Sequence, residues 1–240
     1  SSEGTAFANV RVNVGASGLF EVAANQTIGG LGGAGSVTLN GRTLTIGAAN
    51  GLTTTFTGVL SDGTSAGALI KAGTGVLTLS GNNTFVGALT VNAGTLQVGN
   101  LSALGTTAAG TTVATGATLD LNGVAVGAEA ITLSGRLANT SATAASLSGA
   151  VTLGGAAQLG STAGTLTLTG GLVTGSNDLT VDGAGDVVFS GSAGLTGAGL
   201  VTKDGAGALT LNAASTADFA AINAGTVTMA ANLNVGALNG

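Results

Sequence analysis

Glycine interrupts this chain so often that a helix has little room to form. The 240 residues include 45 glycines, and a glycine inside a helix costs about 1 kcal/mol relative to alanine. Between the glycines, apolar and polar residues alternate in short runs, as they do in half-buried strands. We therefore expect an all-β protein of short strands. Such runs are Ser36–Asn40, Val76–Leu79, Thr118–Leu121, Thr165–Leu168 and Leu209–Leu211.

The runs end at residues that form tight turns. Asn40-Gly41, Asn122-Gly123 and Asp182-Gly183 each follow a run. Glycine, and to a lesser degree asparagine and aspartate, adopt positive φ angles at low cost, which is what a sharp corner requires. The sequence therefore predicts many short strands joined by tight corners.

The composition excludes several classes of function. The chain has no His, Cys, Pro, Trp or Tyr, and only 5 basic and 10 acidic residues. Catalytic sets built on histidine or cysteine, and zinc sites built on the same residues, need side chains that are absent. Nucleic-acid binding needs clustered cations and aromatic stacking surfaces. We expect no enzyme activity, no catalytic residue, no cofactor, no metal site and no nucleic-acid partner.

The distribution of apolar residues indicates whether the chain spans a membrane or carries a secretion signal. The chain is 44% hydrophobic, but no stretch approaches the roughly 20 continuous apolar residues of a membrane-spanning helix. Residues Ser1 to Gly4 show no feature of a secretion signal. We expect a folded chain that does not span the membrane, with any signal removed or lying outside this segment.

An internal repeat favours one β architecture over the others. The segment Lys71–Ser80 recurs 132 residues later as Lys203–Asn212, and Asn92–Leu96 recurs as Asn223–Val227. Repeated strand-and-turn units are typical of a solenoid, whose coils stack and bury a continuous interior. A β-sandwich is disfavoured, because its wider core usually contains large aromatics. We predict one β-solenoid domain over residues 1–240, with roughly 10–12 coils.

The segment Ile70–Gly99 resembles the passenger-associated transport repeat of bacterial autotransporters. It contains G-T-G-V-L-T-L-S-G-N-N-T-F and ends in V-N-A-G-T-L. A weaker copy spans Lys203–Met229, so repeats are centred on 70–99 and 202–229. The resemblance implies a right-handed parallel β-helix, exported with an outer-membrane translocator as partner and then displayed on the cell surface or secreted.

Charged residues give few candidate sites. Asp178, Asp182 and Asp186 are the best candidates for an acid pair that cleaves polysaccharides. The spacing of Asp182–Asp186 does not fit the glycine-rich calcium repeat of β-solenoids. We interpret these aspartates as corner residues, which aspartate favours. Lys71 and Lys203 occupy equivalent positions and are also predicted to lie at solvated corners.

The predicted function is structural. Strand-like sequence begins at Val10–Val14 and still continues at Leu233–Gly236, with no obvious cap at either place. Uncapped solenoid coils leave backbone groups open to pairing. We therefore expect either a longer chain or coils that stack end to end into a fibre; the alternative is an adhesin passenger that binds a cell-surface partner.

Overall fold

The computed structural model describes residues 7–47 and 51–229, and in these residues every regular element is a β-strand. The predicted all-β class is confirmed. Leu233–Gly236, in the expected uncapped end, lies outside the described residues. The strands are β1 Arg11–Val14, β2 Leu19–Glu21, β3 Gln26–Ile28, β4 Gly30–Gly33, β5 Ser36–Thr38, β6 Thr43–Ile46, β7 Thr54–Phe56, β8 Val59–Ser61, β9 Ala68–Lys71, β10 Val76–Leu79, β11 Leu89–Val91, β12 Thr95–Val98, β13 Thr111–Val113, β14 Thr118–Asp120, β15 Ala125–Val126, β16 Ile131–Leu133, β17 Arg136–Asn139, β18 Ala145–Leu147, β19 Val151–Leu153, β20 Ala157–Ser161, β21 Leu166–Leu168, β22 Leu172–Val173, β23 Leu179–Asp182, β24 Val187–Phe189, β25 Leu195–Thr196, β26 Leu200–Lys203, β27 Ala208–Leu211, β28 Asp218–Ile222 and β29 Thr226–Met229.

The chain divides into two compact units between Leu119 and Asp120. In the first unit, strands pair in parallel in three sheets, ordered β1-β4-β7-β10-β12, β3-β6-β9-β11-β13 and β2-β5-β8. Consecutive strands along the chain pass from one sheet to the next, so each circuit of the sheets is one coil. The third sheet ends at β8, because residues 80–88 and 99–110 form no strand.

The second unit repeats this plan with sheets of five, four and six strands. Its strands pair in the orders β17-β20-β23-β26-β28, β16-β19-β22-β25 and β15-β18-β21-β24-β27-β29. Arg136 pairs with Gln158 and Leu179 pairs with Val201, so one coil here takes 22 residues. The two units have about ten turns between them, which confirms a parallel β-solenoid of the predicted size. One domain over residues 1–240 stays a prediction.

The interior consists of columns of like residues. Leu147, Leu168, Phe189 and Leu211 stand in register in four successive coils and are fully buried. Parallel in-register pairing places each side chain on its equivalent in the next coil, so alternating apolar residues bury one another. Burial of this apolar surface is the main stabilising contribution to the fold.

The glycines have a steric role at the corners. A Cβ on Gly81 would lie 1.7 Å from the carbonyl oxygen of Gly58, in the previous coil, and one on Gly207 would lie 2.0 Å from that of Gly185. Neither glycine has a positive φ angle, so the requirement comes from close stacking of backbone on backbone. Asn40 and Asn122 adopt φ angles of 52° and 49°, as the predicted corners require.

Candidate functional site

Lys71 and Lys203 are candidate site residues because both lysine side chains are buried, which is rare for lysine. Their exposed fractions are 2% and 1%. Lys71 lies on β9 two residues after Leu69, so its side chain points inward like that of Leu69. Lys203 stands in the same way two residues after Val201 on β26. The prediction of solvated corners was therefore wrong, and the alternation within each strand was the signal that it missed.

Each ammonium group lies in a cradle of three backbone carbonyl groups. Lys71 Nζ donates to the carbonyl oxygens of Ala72 at 2.7 Å, Gly73 at 2.8 Å and Ala93 at 3.0 Å. Ala72 and Gly73 belong to the corner after β9, whereas Ala93 lies in the next coil. An ammonium has three donors and no acceptor, so the three carbonyl groups match its full capacity.

The second cradle reproduces the first. Lys203 Nζ donates to the carbonyl oxygens of Asp204 at 2.7 Å, Gly205 at 2.8 Å and Ala224 at 3.3 Å. Gly73 and Gly205 both have positive φ angles, 67° and 76°, which turn these corners around the ammonium. The repeated K-x-G motif therefore encodes a repeated three-dimensional site.

Burial lowers the pKa of both lysines. For Lys71, desolvation lowers the pKa from 10.5 to about 8. Desolvation also lowers the pKa of Lys203, while the charges of Asp204, Asp182 and Asp186 act to raise it. With a pKa of about 8, Lys71 is mostly protonated at pH 7 and keeps its three donors.

A second buried polar group follows each lysine after twelve residues. Asn83 Oδ1 accepts the backbone N–H of Leu60 at 2.9 Å, and its Nδ2 donates to the carbonyl oxygen of Ala103 at 2.7 Å. Its side chain therefore links the coils on either side, where residues 80–88 form no strand.

Ser215 takes the same place in the second repeat. Its Oγ accepts the backbone N–H of Leu195 at 3.0 Å, as Asn83 does for Leu60, but donates locally to the carbonyl oxygen of Ala213 at 3.0 Å. The Ser-Gly-Asn-Asn turn is lost from the second copy, yet the link to the preceding coil remains.

The three candidate acids have separate structural partners. Asp178 Oδ1 accepts the backbone N–H of Leu200 at 3.0 Å, and Asp186 Oδ1 accepts that of Ala208 at 2.8 Å. Both contacts reach the following coil, 22 residues on. The described part of the chain holds no group of three or more acidic residues placed to bind a metal ion.

Asp182 forms an ion pair with Arg136. Its carboxylate accepts two hydrogen bonds of 2.6 Å from the guanidinium of Arg136, two coils earlier. Gln158, in the coil between, also accepts from Arg136 at 3.1 Å. Gly160 leaves room for the pair, since a Cβ there would lie 2.1 Å from both side chains. Arg136 and Asp182 are 46 residues apart in the sequence, which gave no sign of their contact.

A largely apolar cavity of about 180 Å³ lies beside strands β1, β2 and β3. Its lining residues are Phe7, Val12, Phe20, Glu21, Ala23, Gln26 and Ile28. The buried Oε1 of Gln26 has no hydrogen-bond partner among the described residues. Strands β1, β2 and β3 pair in parallel with β4, β5 and β6, respectively.

One outer face carries a straight uncharged column. Thr27, Thr45, Ile70, Thr90 and Thr112 stand in register in five successive coils of the first unit. Strands β3, β6, β9, β11 and β13 present no charged side chain outward, since Lys71 on β9 points into the core. The column is an uncharged surface of four threonines and one isoleucine.

The sequence comparisons agree with this geometry. The model of the passenger-associated transport repeat matches residues 69–98 and 201–229, which are the segments that hold the two lysine cradles. The resemblance inferred from the sequence is therefore confirmed. No solved structure matches the chain.

A curated relative is an adhesin. The chain is 41% identical over 100 residues to the protein named "Adhesin BmaC autotransporter" from Brucella suis biovar 1 (strain 1330). The match covers 40% of this chain and 3% of the relative, so the chain corresponds to a small part of that protein. Two segments of this β-solenoid are thus similar to the passenger-associated transport repeat, and 100 of its residues are similar to part of a protein named as an autotransporter adhesin.

Proposed function

We propose that this chain is an extracellular structural β-solenoid of a bacterial surface or secreted protein, which serves as a stalk or stacks end to end into a fibre. The observation that carries the proposal is the stacking of successive coils through parallel sheets and in-register apolar columns. The same backbone hydrogen bonds and apolar contacts can hold a further coil. An outer-membrane translocator is the partner during export.

A structural role also fits the use of charge in the described residues. Lys71 and Lys203 bind backbone carbonyl groups, and Arg136 binds Asp182. Asp178 and Asp186 accept backbone N–H groups of the following coil. These charges hold coils together rather than converge on a substrate. The described residues also contain no helix that is long and apolar enough to cross a membrane.

Electron microscopy of the purified chain at low and high concentration tests the proposal. Uniform fibres that lengthen with concentration support stacking, and short rods at every concentration support a stalk segment. Phe20→Lys should abolish fibres, because Phe20 lines the apolar cavity. Leu19→Lys is the matched control, because Leu19 is next to Phe20 in the sequence but its side chain is 59% exposed. Globular particles without rods would contradict both forms of the proposal.

A second candidate function is adhesion to a cell-surface partner. It is favoured by the named adhesin relative and by the uncharged threonine column. Binding of the labelled chain to cells should fall when Thr90→Lys and Thr112→Lys are combined. Thr167→Lys, at an outward position of β21 in the second unit, is the control. Equal binding by the parent chain, the double variant and the Thr167→Lys control would show that the threonine column is not the adhesive surface.

A further inference from the structure

The apolar interior of a solenoid does not by itself define which residues stack. Leu44, Leu69 and Leu89 stand in one column of the first unit, and Leu44 and Leu89 are each followed two residues later by another inward aliphatic residue, Ile46 and Val91. A strand that slips by two residues keeps the same side chains inward. Columns of interchangeable aliphatic residues therefore tolerate more than one register.

Lys71 is the residue that makes one register of these coils different from the others. It stands in a column between Ile46 and Val91, at a position that is otherwise aliphatic. Its ammonium is satisfied only where the carbonyl group of Ala93 in the next coil comes within 3.0 Å. A two-residue slip removes that acceptor and leaves a buried charge without its full set of partners, which is costly in an apolar interior.

The second repeat contains the same combination. Lys203 stands between Val181 and Ile222 and reaches the carbonyl group of Ala224 in the next coil. Lys71 and Lys203 are the buried cations among residues 7–47 and 51–229. Asn83 and Ser215, twelve residues later, each accept a backbone N–H from the preceding coil. Each repeat thus bonds to the coil after it through lysine and to the coil before it through Asn83 or Ser215.

We propose that each repeat is a register lock, in which the buried lysine and the polar residue twelve positions later fix the alignment of one coil on its neighbours. Single buried polar groups are known to set register in other folds, at some expense of stability. This inference concerns the folding of the chain and does not depend on the proposed function. It predicts that replacing the lysine increases the fraction of misaligned coils more than an inward apolar substitution on the same strand does.

Disulfide competition in the full chain measures the register directly, because the sequence has no cysteine. Val76→Cys, Thr78→Cys and Gln97→Cys are introduced together. Residue 97 pairs with residue 78 in the native register and with residue 76 after a two-residue slip. Paired positions on adjacent strands lie about 4.8 Å apart and diagonal ones about 8 Å, so only aligned cysteines fall within disulfide range.

The ratio of slipped to native disulfide is compared after refolding and oxidation, by mass spectrometry of peptides. Lys71→Met should raise this ratio at least tenfold, whereas Leu69→Met, an inward substitution on the same strand, should leave it unchanged. An unchanged ratio in Lys71→Met, or an equal rise in both variants, would overturn the proposal.

The second repeat decides the question if Lys71→Met does not fold. There the cysteines replace Ala208, Thr210 and Thr228, of which 210 and 228 pair in the native register. Lys203→Met should raise the fraction of the 208–228 disulfide, with Val201→Met as the matched control. A ratio that stays at the parent level contradicts the register lock.

Discussion

Lys71 Nζ lies 3.0 Å from the carbonyl oxygen of Ala93, 22 residues further along the chain. The contact joins two successive coils through a buried ammonium rather than through the backbone ladder. Lys203 makes the equivalent contact with Ala224. In both segments of this chain that match the passenger-associated transport repeat, a buried lysine therefore binds the corner of its own coil and the corner of the next coil.

Replacing Lys71 with methionine should destabilise the protein. Methionine keeps most of the volume but removes all three donors, so the carbonyl groups of Ala72, Gly73 and Ala93 lose a partner. We expect a loss of about 2 kcal/mol in the free energy of unfolding, the cost of leaving buried acceptors unsatisfied. Urea unfolding followed by circular dichroism measures it. An unfolding midpoint equal to that of the parent chain would show that the cradle contributes no net stability.

The lowered pKa of Lys71 makes stability depend on pH. The pKa is about 8 in the folded chain and 10.5 when unperturbed, so between these values the unfolded state binds more protons. Stability relative to Lys71→Met should therefore rise as the pH increases from 8 to 10.5. The difference in urea midpoint between the two proteins, measured at pH 7.5 and pH 10.5, checks the sign. A smaller difference at the higher pH would mean that the cradle favours the protonated lysine over the neutral one.

Gly81→Ala should be strongly destabilising. The new Cβ would lie 1.7 Å from the carbonyl oxygen of Gly58, and both atoms belong to stacked backbones that cannot move apart locally. We expect a loss of about 3 kcal/mol, at the upper end of overpacking effects. Gly127→Ala is the control, because a Cβ there meets no atom within 4 Å. Thermal unfolding compares the two, and similar melting temperatures would refute the stacking argument.

The Arg136–Asp182 pair should contribute modestly to stability. Its bidentate geometry favours a strong contact, but the side chains are 25% and 29% exposed, so solvent screens their charges. A double-mutant cycle with Arg136→Ala and Asp182→Ala should give a coupling energy of about 1 kcal/mol. The coupling should weaken in high salt. A coupling near zero would show that the pair only fills space beside Gly160.

Substitution of the three candidate acids tests the enzymatic alternative. Asp178→Asn, Asp182→Asn and Asp186→Asn together should lower stability, because each carboxylate has a structural partner. No polysaccharide cleavage should be found in either the parent or the triple variant. Cleavage by the parent that disappears in a folded triple variant would contradict the structural assignment of these acids.

Much of the fold could be predicted from local patterns. Alternation in runs such as Val76–Leu79 places Leu77 and Leu79 inward, and the structure has β10 over these same residues. The recurrence of Lys71–Ser80 at Lys203–Asn212 indicated stacked coils. Strand period and turn chemistry are local properties, so the sequence expresses them directly.

The environment of the charged residues was decided by the tertiary structure. The alternation along β9 indicates that Lys71 points inward. No local sequence pattern, however, shows that its ammonium group donates to the carbonyl oxygen of Ala93 in the next coil. Likewise, Arg136 meets Asp182 only because two intervening turns of the chain bring their coils together. The sequence by itself thus determined the strands, the corners and their repetition. Which polar groups meet depends on the register between coils, and that is fixed only when the coils stack.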